Sequence, residues 1–414
     1  MPAISIFSGV FCNEESVVNE IVARTGYKLV RDADILSSAN RISDTSEDKI
    51  ERAFSAKTSI FNKFTHERER SIAYIKLALA QTLLNENLVV TGFISHLIPE
   101  AVSHVLRVCL IADMSFRIQT AIQDRGVSEN DAVKLIRKRD EDAAAWVYTL
   151  LEVNDPWETS LYDMLLPTDK MGGDEIIDRI NEVMKKEVIK DTPRSKKAVK
   201  DFLLSAKVEV SLVKEGHTVG VEVKDDVVTL TINKHVLMLS RLEEELIHIA
   251  SQVPGVKNVK TKVGQGFYQA DIYRRHDFEM PSKVLLVDDE REFVETLSER
   301  LVMRDMGSAV AYDGESALEL IKADEPEVMI LDLRMPGIDG IEVLRRVKQT
   351  NPDIEVIILT GHGSEADRET CMGLGAFAYL RKPVDIEKLS ETIKNANEKI
   401  SRRTSADKPR TSEG

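Results

Sequence analysis

The chain is poor in cysteine, in aromatic residues and in long apolar runs, and each scarcity narrows what it can be. Its three cysteines in 414 residues, Cys12, Cys109 and Cys371, lie far apart and without metal-ligand spacing. Neither a disulfide framework nor a structural zinc site is expected, and the three read as reduced, mostly buried thiols. No stretch approaches the ~18 consecutive apolar residues that a membrane span requires. The opening residues, Met1 to Phe11, lack a basic segment followed by a long apolar core. No secretory leader is therefore expected, and the cytoplasm is the expected location. Positive charge is not in excess either: 56 Lys and Arg against 70 Asp and Glu give a formal charge of −14. Bulk electrostatics thus disfavour nucleic acid and anionic membranes as partners. No helix-turn-helix pattern follows the last helical segment, so no DNA target is expected.

The length leaves room for two to four domains, and composition shifts mark the joints. Residues 191–197, Asp-Thr-Pro-Arg-Ser-Lys-Lys, form a polar break, and a second lies at Arg274-Arg275-His276-Asp277 ahead of Pro281. From Arg402 to Gly414 no apolar residue is larger than alanine, so a disordered tail is expected there. The expected division is 1–190, 195–275 and 282–400 with a tail at 401–414, in an α/β multidomain chain.

The third segment carries the sharpest chemical pattern. Four short apolar runs each end in a polar group: Val284–Val287 in Asp288-Asp289-Glu290, Val328–Leu331 in Asp332, Val356–Leu359 in Thr360, and Ala378–Arg381 in Lys382. Buried-type strands of a doubly wound sheet bring such ends to one edge, where ligand chemistry is placed. Taken singly, these are solvated strand-end carboxylates and a surface lysine. Three carboxylates repel one another without a cation, so together they point to a bound metal.

The constellation resembles the response-regulator receiver domain, a (βα)5 flavodoxin-like fold. That resemblance implies that Asp332 is the phosphoacceptor and that Asp288, Asp289 and Asp332 hold Mg²⁺ with the backbone carbonyl of Arg334. Thr360 and Lys382 would contact the phosphoryl group, and Tyr379, three residues before the lysine, would be the switch aromatic. Arg334 and His362 would modulate phosphate lifetime, and a histidine kinase or phosphotransfer protein would be the donor partner. Carboxylate oxygens are the ligands that Mg²⁺ prefers, and acceptance by a carboxylate needs a nucleophile, a hard cation and donors for the phosphoryl oxygens.

The first segment begins strand, turn, helix: residues 3 to 8, then Ser8-Gly9-Val10, then a helical pattern from Glu14 to Thr25 closed by Gly26. Strand, turn and helix together are the context of a phosphate-binding loop. Two further buried strands are expected at Asn87–Gly92 and Val105–Ala112, with a long helix from Ser128 to Thr149. With Asp155-Pro156-Trp157 and Leu161-Tyr162-Asp163, this order resembles the cytidylate-kinase-like family of P-loop nucleotide kinases over residues 1 to about 190.

The loop departs from that family. The pattern G-x-x-x-x-G-K-[ST] counted from Gly9 places Glu14 at its glycine, Glu15 at its lysine and Ser16 at its Ser/Thr. Each carboxylate beside a triphosphate is repulsive by about 1 kcal/mol or more. The family's arginine after the central-strand glycine is Phe93 here, and Ala143 stands three residues beyond Asp140 where another is expected. Ser16, Arg117, Arg137 and Arg139 remain as nucleotide-binding candidates. Helix-surface salt bridges are the plainer account of the arginines. Nucleotide phosphotransfer is not expected, and the fold is read as a sensing or interaction module.

In the middle segment, a short helix at 197–204 is followed by β-rich runs at Val208–Val213, His217–Val223 and Val227–Ile232. A helix from Met238 to Gln252 and Val253-Pro254-Gly255-Val256 then lead into a last strand. This order resembles the BON domain, a small α+β module, although Asn233 stands where that family has glycine. The resemblance brings no catalytic residue and only a weak prospect of membrane-surface contact, through Lys257, Lys260, Lys262 and Arg274-Arg275. A solvated strand face is the plainer reading of those residues. The chain is thus expected to be a two-component response regulator with an output partner; the alternatives are a receiver-gated nucleoside monophosphate kinase and a non-catalytic nucleotide sensor.

Overall fold

A computed structural model describes residues 3–43, 50–57, 59–234, 236, 238–264, 283–302, 304, 306–361 and 363–406. It divides into two compact units, Met1–Thr58 with Arg68–Arg274, and Ser59–Glu67 with Arg275–Gly414. Strands and longer helices are numbered below in chain order.

The first unit opens with β1 (Ala3–Ser8), α1 (Glu14–Thr25), β2 (Lys28–Val30), α2 (Asp32–Ser43) and α3 (Glu67–Thr82). It continues with β3 (Leu88–Thr91), β4 (Val105–Ile111), α4 (Met114–Arg125), α5 (Glu129–Leu151), β5 (Met164–Pro167) and α6 (Gly173–Met184). The strands form one parallel sheet in the order β2-β3-β1-β4-β5. Both faces are covered, which is why the strands read as almost unbroken apolar runs. Ile4, Ile6, Leu106 and Val108 pack with the α1 and α6 side, while Ala3, Phe7, Val105 and Cys109 pack with α2, α3 and α5. Helix α1 stops where expected: Gly26 takes φ 69° and its N–H donates to the Val22 carbonyl at 2.8 Å, a left-handed cap that suits glycine. Ser128 caps α5 by accepting from the Asp131 N–H at 3.2 Å, and Trp146 Nε1 donates to the Phe93 carbonyl at 2.8 Å.

Helix α7 (Pro193–Lys214) begins within the polar break at 191–197 and runs for 22 residues. The stretch Val208–Val213, expected as a β-rich run, belongs to this helix. Pro193 sits in its first turn and Thr192 with Ser195 forms a capping box, and no breaker follows before Lys214. The valines mislead because the helix serves two cores. Val199, Phe202, Ala206, Val210 and Val213 pack into the core of the parallel sheet. Leu204, Val208 and Leu212 pack under a second, three-stranded sheet. That sheet comprises β6 (Gly220–Lys224), β7 (Val227–Ile232) and β8 (Asn258–Val263), with α8 (Leu239–Ser251) between the last two. β6 and β7 are antiparallel, β7 and β8 parallel. Two of the three basic residues singled out on this sheet face carboxylates, Lys257 with Asp226 at 2.6 Å and Lys262 with Glu222 at 3.9 Å. Arg274 and Arg275 lie outside the described residues.

The second unit contains β9 (Val284–Val287), α9 (Arg291–Val302), β10 (Ser308–Ala311), α10 (Gly314–Ala323) and β11 (Val328–Leu331). After these come α11 (Gly340–Thr350), β12 (Glu355–Thr360), α12 (Glu365–Gly373), β13 (Ala378–Arg381) and α13 (Ile386–Ala406). All five strands are parallel, in the order β10-β9-β11-β12-β13. Helix α13 continues six residues past Ile400, into the segment expected to be a disordered tail. Its last turns are held by charge: Glu355, fully buried at the start of β12, lies 2.8 Å from Lys399 and 3.0 Å from Arg403. Residues 407–414 of the expected tail lie outside the described residues.

Candidate functional site

In the second unit the strand order reverses between β9 and β11, which opens a crevice beyond their carboxyl ends. Leu331 pairs with Val287, so the residues that follow each strand come together. The Asp332 N–H donates to the Val287 carbonyl at 2.9 Å, fixing Asp332 beside Asp288. One oxygen from each of Asp288, Asp289 and Asp332 lies within 4.8 Å of the other two. Asp288 and Asp332 are buried and Asp289 is exposed. On the neighbouring strands, Thr360 pairs with Arg381, and the Lys382 N–H donates to the Thr360 carbonyl at 3.0 Å.

Lys382 thereby reaches over the acidic cluster. Its Nζ is 2.6 Å from Asp288 Oδ2, 3.1 Å from Glu290 Oε1 and 3.6 Å from Asp332 Oδ2. The ammonium also lies 4.3 Å above the Phe293 ring. Burial works against its charge, but the Asp288 hydrogen bond and the surrounding carboxylates outweigh it and raise its pKa. Burial raises the Asp288 pKa, with Asp332 adding repulsion, even against the Lys382 hydrogen bond. One lysine does not balance three carboxylates held this close. An all-oxygen set, two members buried and one open to solvent, fits a hard dication that keeps some of its water.

The other expected residues sit around this edge. Asp332 Oδ1 accepts from the Leu333 N–H at 2.7 Å, which leaves Oδ2 toward Lys382. Thr360 is fully buried at the end of β12. The Tyr379 hydroxyl is buried without a hydrogen-bond partner among the described residues, and a methyl group at Gly363 would overlap it. Gly363 is thus what lets the Tyr379 ring lie where it does, and the sequence reading missed it. Gly340 is a second such contact, since a Cβ there would strike the Asp332 carbonyl oxygen. Arg334 is exposed, its guanidinium 3.9 Å from Asp367, and His362 lies outside the described residues. Glu290, the third acidic residue of its run, was not singled out and proves to be a lysine partner.

In the first unit the strand order also reverses at β1, which places the corresponding crevice beyond its carboxyl end, but the residues there are arranged differently. Arg117, on the first turn of α4, donates from Nε to the Val10 carbonyl at 2.9 Å and from both Nη atoms to Asp140, at 3.0 and 2.7 Å. Arg139 stacks over the Phe93 ring, 4.2 Å from its centroid, and Phe93 is itself buried against Phe54. Ser16 and Arg137 are exposed. Of the four nucleotide-binding candidates, Arg117 is thus taken up by the chain's own carboxylate and carbonyl, and Arg139 lies on an aromatic ring. Asp32 accepts from the Phe93 and Ile94 N–H groups at 3.1 and 3.0 Å, and a Cβ at Gly92 would collide with its carboxylate. Burial pushes Asp32 up to about 6. Burial, and then the nearby Asp32, push Glu14 up to about 7.

Comparison with known proteins follows this division. Residues 284–394 match the response regulator receiver domain and residues 3–170 the cytidylate kinase-like family. Response regulator MprA of Mycolicibacterium vanbaalenii is 38% identical over 110 residues, 27% of this chain and 48% of that protein. The protein of the same name from Mycobacterium ulcerans is 37% identical over 110 residues, 27% of this chain and 47% of its own length. The chain thus spans about half the length of the curated relatives it matches. A receiver-domain crystal structure from Clostridium thermocellum is 34% identical, with a TM-score of 0.28, covering 30% of this chain and 98% of that one. The chain carries a response regulator receiver domain in its second unit, preceded in its first by a match to the cytidylate kinase-like family.

Proposed function

We propose that this chain is a two-component response regulator that accepts a phosphoryl group on Asp332 from a histidine kinase or phosphotransfer protein. The observation that carries the reading is the oxygen cluster of Asp288, Asp289 and Asp332 within 4.8 Å, with Lys382 bridging two of its members. Asp332 Oδ2 attacks phosphorus, a new O–P bond forms, and the donor's N–P bond breaks with its electron pair passing to the imidazole. Lys382, 3.6 Å from that oxygen, is placed to balance the charge that accumulates on the phosphoryl oxygens. Asp288, Asp289 and Asp332, with the Arg334 carbonyl, would hold Mg²⁺, which when bound neutralises carboxylate and phosphoryl charge.

Thr360 at the end of β12 would hydrogen-bond the transferred group, and Tyr379 would respond by repacking. The altered outer face of the receiver then changes its hold on an output partner or on the preceding domains. The first unit contributes binding rather than turnover in this reading. Arg117 is already committed to Asp140 and the Val10 carbonyl, which disfavours a nucleoside monophosphate kinase. The helix, two strands, helix and strand of the middle segment are in keeping with a BON-like module. No described helix is long and apolar enough to cross a membrane, and we place the protein in the cytoplasm.

The test is incorporation of phosphoryl from acetyl phosphate in the presence of Mg²⁺. The wild-type chain should be labelled and Asp332→Asn should not. Label retained in the variant at the wild-type level would sink the assignment of Asp332.

A further inference from the structure

The crevice of the first unit holds an ion pair that the phosphoryl chemistry of the second does not use. Arg117 is 7% exposed, and all three of its nitrogens are engaged at once. The carboxylate of Asp140 takes both Nη atoms in the bidentate geometry that a guanidinium offers to carboxylate or phosphate alike. The partners come from separate places in the chain: Val10 from the loop after β1, Arg117 from α4, and Asp140 from the middle of α5. Their meeting therefore draws that loop and both helices together over the sheet edge.

The loop itself is shaped around the contact. A Cβ on Gly9 would stand 2.9 Å from Cys12 Sγ, too close to fit without a shift, and at ordinary contact distance, 3.5 Å, from both Arg117 Cζ and Trp157 Cη2, so the loop packs on Cys12 and lies against the guanidinium. Phe11 and Asn13 hold φ of 63° and 55°, a left-handed conformation that is strained for a non-glycine residue. Surrounding structure must enforce such a conformation, and the Nε bond to the Val10 carbonyl is in position to do so. Asp140 retains 27% side-chain exposure, so solvent reaches the carboxylate side of the pair.

We propose that the Arg117–Asp140 pair is an autoinhibitory contact, in which the chain's own carboxylate occupies an oxyanion seat and shuts the first unit's crevice to phosphorylated ligands. The inference does not depend on the receiver reading. The Asp140 carboxylate stands in for one face of a phosphate, and removing its charge frees two donors of a buried cation.

The experiment titrates the full-length chain with pyrophosphate, read by calorimetry and by tryptophan fluorescence. Trp146 and Trp157 are the two tryptophans of the sequence, and both lie in the first unit. Asp140→Asn should bind pyrophosphate at least about tenfold more tightly than wild type, a difference of about 1.4 kcal/mol. The double variant Arg117→Met with Asp140→Leu should show no binding. If Asp140→Asn is poorly folded, pyrophosphate should raise its melting temperature while leaving wild type and the double variant unmoved. Equal binding by wild type and Asp140→Asn overturns the proposal, and so does an Asp140→Asn melting temperature indifferent to pyrophosphate.

Discussion

Replacing Glu14 by glutamine should stabilise the first unit at neutral and alkaline pH but not in acid. Burial and the neighbouring Asp32 push Glu14 from 4.5 to about 7, against the opposing pull of Arg139 and Arg31. Between those two values the native state keeps a proton that the unfolded chain has released, so stability falls as pH rises through this window. Below the window both states are protonated and above it both are ionised, so the loss is complete just past pH 7. A shift of this size corresponds to roughly 3 kcal/mol at 1.36 kcal/mol per unit. Glu14 keeps an exposed edge and Asp32 titrates beside it, so about 1–2 kcal/mol should be observable. Glutamine keeps the shape and cannot ionise, so the gap between Glu14→Gln and wild type should open from near zero at about pH 4.5 to its full value at about pH 8. Urea unfolding of the full-length chain, followed by the two first-unit tryptophans, isolates this unit from the receiver. Parallel pH profiles for the two proteins from about pH 5 to 8 would refute the reasoning, because they would mean that Glu14 ionises as freely in the native state as in the unfolded one.

Two further outcomes concern the receiver. Lys382→Met removes the cation that competes with a metal for Asp288. A unit charge about 5 Å from a dication is worth about 2 kcal/mol even at the dielectric of water, so Mg²⁺ affinity measured calorimetrically should tighten at least about tenfold. Labelling from acetyl phosphate should slow by about 10²-fold in the same variant, as for loss of one preorganised charge; a variant that changed both in the same direction would contradict the placement of Lys382. Gly363→Ala puts a methyl group where the Tyr379 hydroxyl lies. It should force the ring from its pocket at a cost of about 1–3 kcal/mol, read as a lower receiver melting temperature and altered Tyr379 resonances. An unchanged melting temperature would show that the ring moves freely.

How much of this was legible in the sequence depended on distance along the chain. The receiver edge was readable because each polar group directly follows a short apolar run, and parallel strands of similar length place their next residues side by side. Asp332 follows Leu331, and the pairing of Leu331 with Val287 does the rest. The ends of α1 were equally local, resting on Gly26 and on an apolar period. Helix α7 defeated the reading because a helix buried on two faces loses its polar stripe. Leu204, Val208 and Leu212 turn toward one core while Ala206, Val210 and Val213 turn toward another, so the valines alternate as a strand's would. The pairing of Arg117 with Asp140 was out of reach for a different reason. The two stand 23 positions apart on separate helices, and no local pattern says which of several carboxylates an arginine will meet. Tyr379 against Gly363 is likewise a contact between separate segments, invisible until the sheet order is known.

The two crevices occupy the same topological position and differ in how their charges are balanced. In the first unit the buried cation at the edge is answered internally: Arg117 has Asp140 and the Val10 carbonyl. In the second, Lys382 is drawn to Asp288 at 2.6 Å and stands off from Asp332 at 3.6 Å, so the acidic cluster keeps an excess of negative charge. A buried excess of that kind is costly unless a cation joins it. The second edge is left wanting a cation, whereas the first has to break an internal pair before its buried arginine can take an oxyanion. On this reasoning the second unit should respond to Mg²⁺ and a phosphodonor as it stands. The first should respond to an oxyanion only once Asp140 has been displaced.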